Sequence, residues 1–173
     1  MRERGIREVY AEAQRLYPAL SLSFEAFRDH CDALHVVGEP TNLARYGADL
    51  FLSAAAALGD PDAVAIVERT LLPAAAEAIA RVREDSEFIE ETQRGLRQLL
   101  LYSERPKIIE YSARSSLLAW VIVVATRYAL NRLSSRDSAL AHKDELTDRL
   151  VQQYFQRDTL IMSGKHAELF QRA

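Results

Sequence analysis

The stretch SLLAWVIVVATRYALNRLSSR, residues 116–136, decides how this chain is built. Its first part, 117–125, is apolar nearly all round, and from Arg127 onward polar groups gather on one side only. That is the pattern of a helix with one end buried and the other presented. The apolar run is about half of the roughly 20 residues a membrane span requires, and Arg127 follows close behind it. The segment therefore reads as a buried helix and not as a membrane anchor. On such a helix Arg127 and Asn131 lie one turn apart, as do Tyr128 and Arg132, so cationic, aromatic and amide groups share a surface.

The surrounding composition agrees with a helical chain. Of 173 residues 49% are hydrophobic, with only 6 Gly and 5 Pro, which is enough apolar material for a core and too little turn chemistry for a sandwich or barrel. We expect an all-α protein. Basic and acidic residues number 22 and 25, a net charge of −3, so bulk electrostatics do not make this a duplex-coating polycation and any nucleic-acid contact must be local. One cysteine cannot close an intramolecular disulfide, and the opening MRERGIREVY lacks the apolar stretch of a secretion signal. Both point to the cytoplasm.

Helical spacing recurs along the chain. Ile6, Val9, Tyr10, Ala13 and Leu16 mark one amphipathic helix over 5–17, and Phe24, Phe27, Cys31 and Leu34 a second over 23–34. Thr41 can cap a third helix running to about Leu58, and Asp60, ahead of Pro61, a fourth running through about Arg83. A helix from Ser86 to about Tyr102 opens with acidic residues suited to the positive end of its dipole. Residues 103–115 read as a loop with at most a turn of helix. The next helix starts at Ser115 or Ser116 and runs to about Leu133; after the polar stretch 134–143, Leu146, Leu150, Val151, Tyr154 and Phe155 mark a further helix, and Gly164 sets off a last helical fragment.

Catalytic and metal chemistry find little support. His30, Cys31 and His35 are close, but adjacent helical residues point apart, and no CxxC, HExxH or facial carboxylate set accompanies them. The acidic cluster at Glu84, Asp85, Glu87, Glu90 and Glu91 reads as a solvated helix start. No nucleophile elbow surrounds Ser115 and Ser116, and no glycine-rich phosphate loop exists. No catalytic residue, metal or cofactor is expected. What remains is a binding constellation on three segments: the acidic helix, the loop around Tyr111, Ser112 and Arg114, and the polar end carrying Arg127, Tyr128, Asn131 and Arg132. Guanidinium neutralises phosphate, an aromatic ring stacks on a base and Asn pairs with an adenine edge, so this set suits single-stranded DNA. An ordinary solvated helix end is the bland alternative.

The 116–136 segment resembles the SFRAWLYRIARNLALDLLRRR pattern of bacterial sigma-70 factors of the extracytoplasmic-function type, in their region 2, with Trp120 on the pattern's tryptophan. EETQRGL (90–96) is similar to the EDLVQEV of the family helix that binds the clamp of the polymerase β′ subunit, and ALGDPDAVAIVERTLLP (57–73) to the RAGDPAAFEALYRRYAP opening. The three come in family order. The resemblance implies a region 2-like helical bundle over 46–138, preceded by a helical extension over 1–45 and followed, over 139–173, by linker helix toward a C-terminal region 4 that this chain lacks.

It also implies a non-enzymatic transcription initiation factor. Its partners would be the β′ clamp helices of RNA polymerase core, the single-stranded non-template −10 element of a promoter and an anti-sigma factor, with no membrane. Glu87, Glu90, Glu91, Arg94 and Gln98 would meet the polymerase. Tyr111, Ser112, Arg114 and Ser115 would form the loop that captures a flipped base, and Arg127, Tyr128, Asn131, Arg132 and Arg136 the −10 recognition helix. Tyr111, Trp120 and Tyr128 are the rings available to stack. The chain departs from the pattern where Arg127 replaces Asn, Asn131 replaces Asp, Ser134 and Ser135 replace arginines, and Gly95 interrupts a helix that normally has none. Fewer arginines mean weaker phosphate binding. The alternative is a helical protein-interaction or regulatory module that binds polymerase or a regulator but no DNA.

Overall fold

A computed structural model describes residues 3–36, 42–136 and 143–158. Among these the chain is all-helical: α1 (Glu3–Leu16), α2 (Phe24–Val36), α3 (Leu43–Ala57), α4 (Pro61–Thr70), α5 (Leu72–Val82), α6 (Ser86–Arg97), α7 (Leu117–Arg136) and α8 (Lys143–Asp158). A π-helical turn (Gln98–Tyr102) prolongs α6, and a 3-10 turn (Lys107–Glu110) lies in the loop before α7. The fragment expected beyond Gly164 lies outside the described residues. No single described helix is long and apolar enough to cross a membrane. Two compact units divide the chain, one of Met1–Glu68 with Leu99–Trp120, the other of Arg69–Gln98 with Val121–Ala173.

In the first unit α3 is the axis. Seven consecutive residues from Leu50 to Ala56 are buried, so this helix is covered on every side, as a helix without a polar face must be. Phe51 joins Tyr10, Phe24 and Phe27 in a ring cluster whose neighbouring centroids are 5.4–6.0 Å apart. The Tyr10 hydroxyl leaves this cluster satisfied, donating to the Leu22 carbonyl at 2.9 Å. The boundary expected between 45 and 46 falls inside α3, and both α1 and α2 pack against that helix. Close approach comes from Gly47, next to a kink at Tyr46 (φ −121°, ψ 19°): a Cβ there would overlap Val9 of α1.

Two helix starts follow the sequence reading, and two features do not. Asp60 caps α4, its carboxylate accepting from the N–H groups of Asp62 and Ala63, each at 3.0 Å, and also from Ser21 at 2.7 Å. Asp85 caps α6 through the Phe88 N–H at 2.7 Å. The cap of α3 is Asn42, whose side chain accepts from the Arg45 N–H, one residue beyond the expected Thr41. The helix expected from Asp60 to Arg83 is broken at Leu71. Pro73 cannot sit inside a helix, where its ring meets the carbonyl four residues back, so it takes the first turn of a new one, α5.

In the second unit α6 buries Phe88, Thr92 and Leu96, one per turn, while Glu87, Glu90, Arg94, Arg97 and Gln98 face solvent. It packs on α5, and α5 also meets α8, whose Thr147 is buried.

The Gly47 contact has a sign that helix propensity alone would get wrong. Gly47→Ala should lower stability by about 1–3 kcal/mol through overpacking, although alanine is the better helix former. Urea denaturation checks this, and Val9→Ala in the same chain should restore part of the loss.

Candidate functional site

The loop before α7 belongs to the first unit, and three bonds hold it. Tyr111 is 1% exposed, with its ring edge-on to Trp120 at 5.9 Å and its hydroxyl donating to the Ser115 carbonyl at 2.6 Å. The Asn42 N–H donates to the carbonyl of Ala113 at 2.9 Å, a residue held at φ 54°, the left-handed region that alanine seldom adopts. The Leu117 N–H, orphaned at the start of α7, donates to Asp49 Oδ2 at 2.8 Å, 68 residues away in sequence. Ser116 Oγ accepts from the Ala119 N–H at 3.2 Å and completes the cap.

This geometry corrects the expectation that Tyr111 offers a ring to a base. Its phenol is enclosed, and burial, with Asp49 and Tyr46 adding to it, pushes its pKa far up. Ser112 is nearly buried as well, at 9% exposure, so it too is withdrawn from a surface contact. Arg114 is exposed and Ser115 partly so; these two are what the loop turns outward. Asp49 escaped the sequence reading. The signal was there, a single carboxylate in the otherwise apolar run GADLFLSAAAA (47–57), where an unpaired charge would be expensive.

In the second unit the polar end of α7 splits into two stripes. Arg127 and Asn131 are exposed, with Arg127 Nη2 at 3.9 Å from Asp144 Oδ1 of α8. Tyr128 and Arg132 turn toward α6. Tyr128 places its hydroxyl where a side chain at residue 95 would be, so Gly95 is the residue that lets the two helices approach. One turn away, Arg132 Nη2 donates to Glu91 Oε2 at 3.0 Å. The acidic helix and the polar end of α7 are thus joined by an ion pair. Arg136 ends α7, and its side chain lies outside the described residues. Glu87, Glu90 and Arg94 sit on the exposed face of α6, and Gln98, exposed as well, begins the π-helical turn that follows.

Elsewhere chemistry is muted. Burial raises the Cys31 thiol to about 12, with Asp32 adding to it, and lowers the pKa of His30, whose Nε2 is buried without a hydrogen-bond partner. Among the described residues no cluster of His, Cys, Asp and Glu could hold a metal ion. Compared with models of protein families, with curated proteins and with solved structures, the chain matches none.

Asp49 gives this site a pH signature. Burial raises its pKa, and the Leu117 N–H only partly offsets that. A raised folded-state pKa means the folded chain binds the proton more tightly than the unfolded one, so this group's contribution grows as pH falls from neutral toward the ordinary carboxylate value and is lost as pH rises again. Asp49→Asn keeps an acceptor for Leu117 and removes the half-buried charge. The variant should melt higher than the parent at pH 7, with the gap closing near the ordinary carboxylate value of about 4. Asp49→Ala, which strands the N–H, should cost about 1–3 kcal/mol at pH 7.

Proposed function

We propose that this chain is a transcription initiation factor of the sigma type, acting without catalysis of its own, in the cytoplasm where polymerase works. The observation that carries the reading is the make-up of α6: an exposed Glu87, Glu90, Arg94 and Gln98 face backed by buried Phe88, Thr92 and Leu96. In the family that the 90–96 segment resembles, this is the helix that docks on the β′ clamp. On α7 the exposed Arg127 and Asn131 are suited to phosphate and base edge in the unpaired non-template strand.

With Tyr111 enclosed, capture of a base falls to Arg114 and Ser115. A guanidinium plane stacks on a base as an aromatic ring does, and such stacking offsets the few kcal/mol of extrusion. The polymerase supplies the chemistry. A second reading, an interaction module that binds polymerase or a regulator but no DNA, draws on the carboxylates facing both Arg127 and Arg132.

A pull-down with RNA polymerase core tests the first step. Glu90→Ala combined with Arg94→Ala should weaken capture by about 1–3 kcal/mol, as expected of charged contacts at an interface, and leave the melting temperature unchanged because both side chains are exposed. Unchanged capture removes the clamp assignment. Adding labelled single-stranded −10-like DNA to the captured complex separates the readings: base-dependent binding belongs to the sigma factor, none to the module.

A further inference from the structure

Two of the arginines assigned to DNA, Arg132 and Arg127, each face a carboxylate, and those carboxylates come from different helices. Glu91 of α6 holds Arg132 at 3.0 Å, with 32% of the Arg132 side chain and 39% of the Glu91 side chain exposed. Asp144 of α8 stands 3.9 Å from Arg127, and both of those side chains are mostly exposed. The Glu91 contact is built into the packing. Glu91 and Gly95 are one turn apart on α6, Arg132 and Tyr128 one turn apart on α7, and Glu91 meets Arg132 while Gly95 meets Tyr128. The two contacts are rungs of one antiparallel helix pair, and the bare backbone at Gly95 is what brings the helices near enough for the ion pair to close.

A phosphate approaching α7 therefore meets cations whose charge is already balanced. Over these four groups the charge sums to zero, and at 3–4 Å the pairs lie well inside the roughly 8 Å screening length of physiological salt. Partial exposure keeps the exchange cheap, because an ion pair open to water holds its partners only weakly. Glu91 also belongs to the helix assigned to the polymerase. We propose that Glu91 and Asp144 are an electrostatic cover on the DNA face, holding Arg132 and Arg127 in the free chain and yielding them to phosphate once polymerase engages α6. The proposal rests on the sigma-type reading. It explains how Arg132 and Arg127 are kept off nucleic acid until the polymerase is present: docking gives Glu91 a competing cation, and Arg132 exchanges carboxylate for phosphate with no covalent bond made or broken.

The test is fluorescence anisotropy of labelled oligo-dT with the full chain, across a salt series, with circular dichroism confirming that each variant is folded. Glu91→Gln should tighten binding about threefold, and Glu91→Gln with Asp144→Asn about tenfold, the range that weak exposed pairs allow. The salt slope should steepen by about 0.7 for each phosphate gained. Adding Arg132→Gln to Glu91→Gln should cancel that variant's gain, and with polymerase core present the parent chain and Glu91→Gln should converge. If Glu91→Gln leaves affinity and slope unchanged while Arg132→Gln weakens the parent, the cover is overturned and the DNA face stands. If no form binds oligo-dT with or without core, the sigma-type reading falls, and the cover with it.

Discussion

A single carboxylate on the central helix of the first unit governs how the loop before α7 is held. Asp49 is half-buried, where a charge with no partner is costly, and it offsets part of that cost by accepting the first free N–H of α7. The bond ties α3 to the start of α7 across 68 residues, so the intervening loop must end at a set point. Asn42 then holds Ala113 and Tyr111 braces Ser115. The loop is a pre-formed shape with its aromatic ring inside and its guanidinium outside, which changes the chemistry it offers from ring stacking to arginine contact.

The second unit depends on an absence of side chain. Helix propensity counts Gly95 as a weakness of α6. In the structure it is the space that the Tyr128 hydroxyl fills, and the approach it allows brings Glu91 within reach of Arg132. The acidic face of α6 and the basic end of α7, distinct by residue type, are therefore joined by an ion pair. An ion pair exposed to this extent adds little to the stability of the fold.

Much of the helical framework was legible because it rests on local signals. Asp60 caps the helix expected of it, and the helix expected near Ser86 does start there, since an N-cap needs only a short polar side chain and the next turn of backbone. The break at Leu71 was not anticipated: the apolar spacing of Val67, Leu71, Ala75 and Ala78 continues unbroken past it, and periodicity does not register the missing N–H of Pro73. The outward face of α6 was legible for a similar local reason, as Phe88, Thr92 and Leu96 mark the opposite side. Tyr111 was misjudged because a tyrosine in a polar-looking loop carries no sign of whether its ring turns inward; Trp120 and the Ser115 carbonyl decide that.

From the sequence alone came the all-helical architecture, most of the helix boundaries, and the residue types gathered on α6 and α7, because period, caps and composition act over one or two turns of chain. Tertiary structure alone decided that α1 and α2 pack with α3, that Asp49 caps α7, and that Glu91 and Asp144 face Arg132 and Arg127. Each of those depends on groups far apart in sequence meeting within about 4 Å, a distance set by how the helices pack.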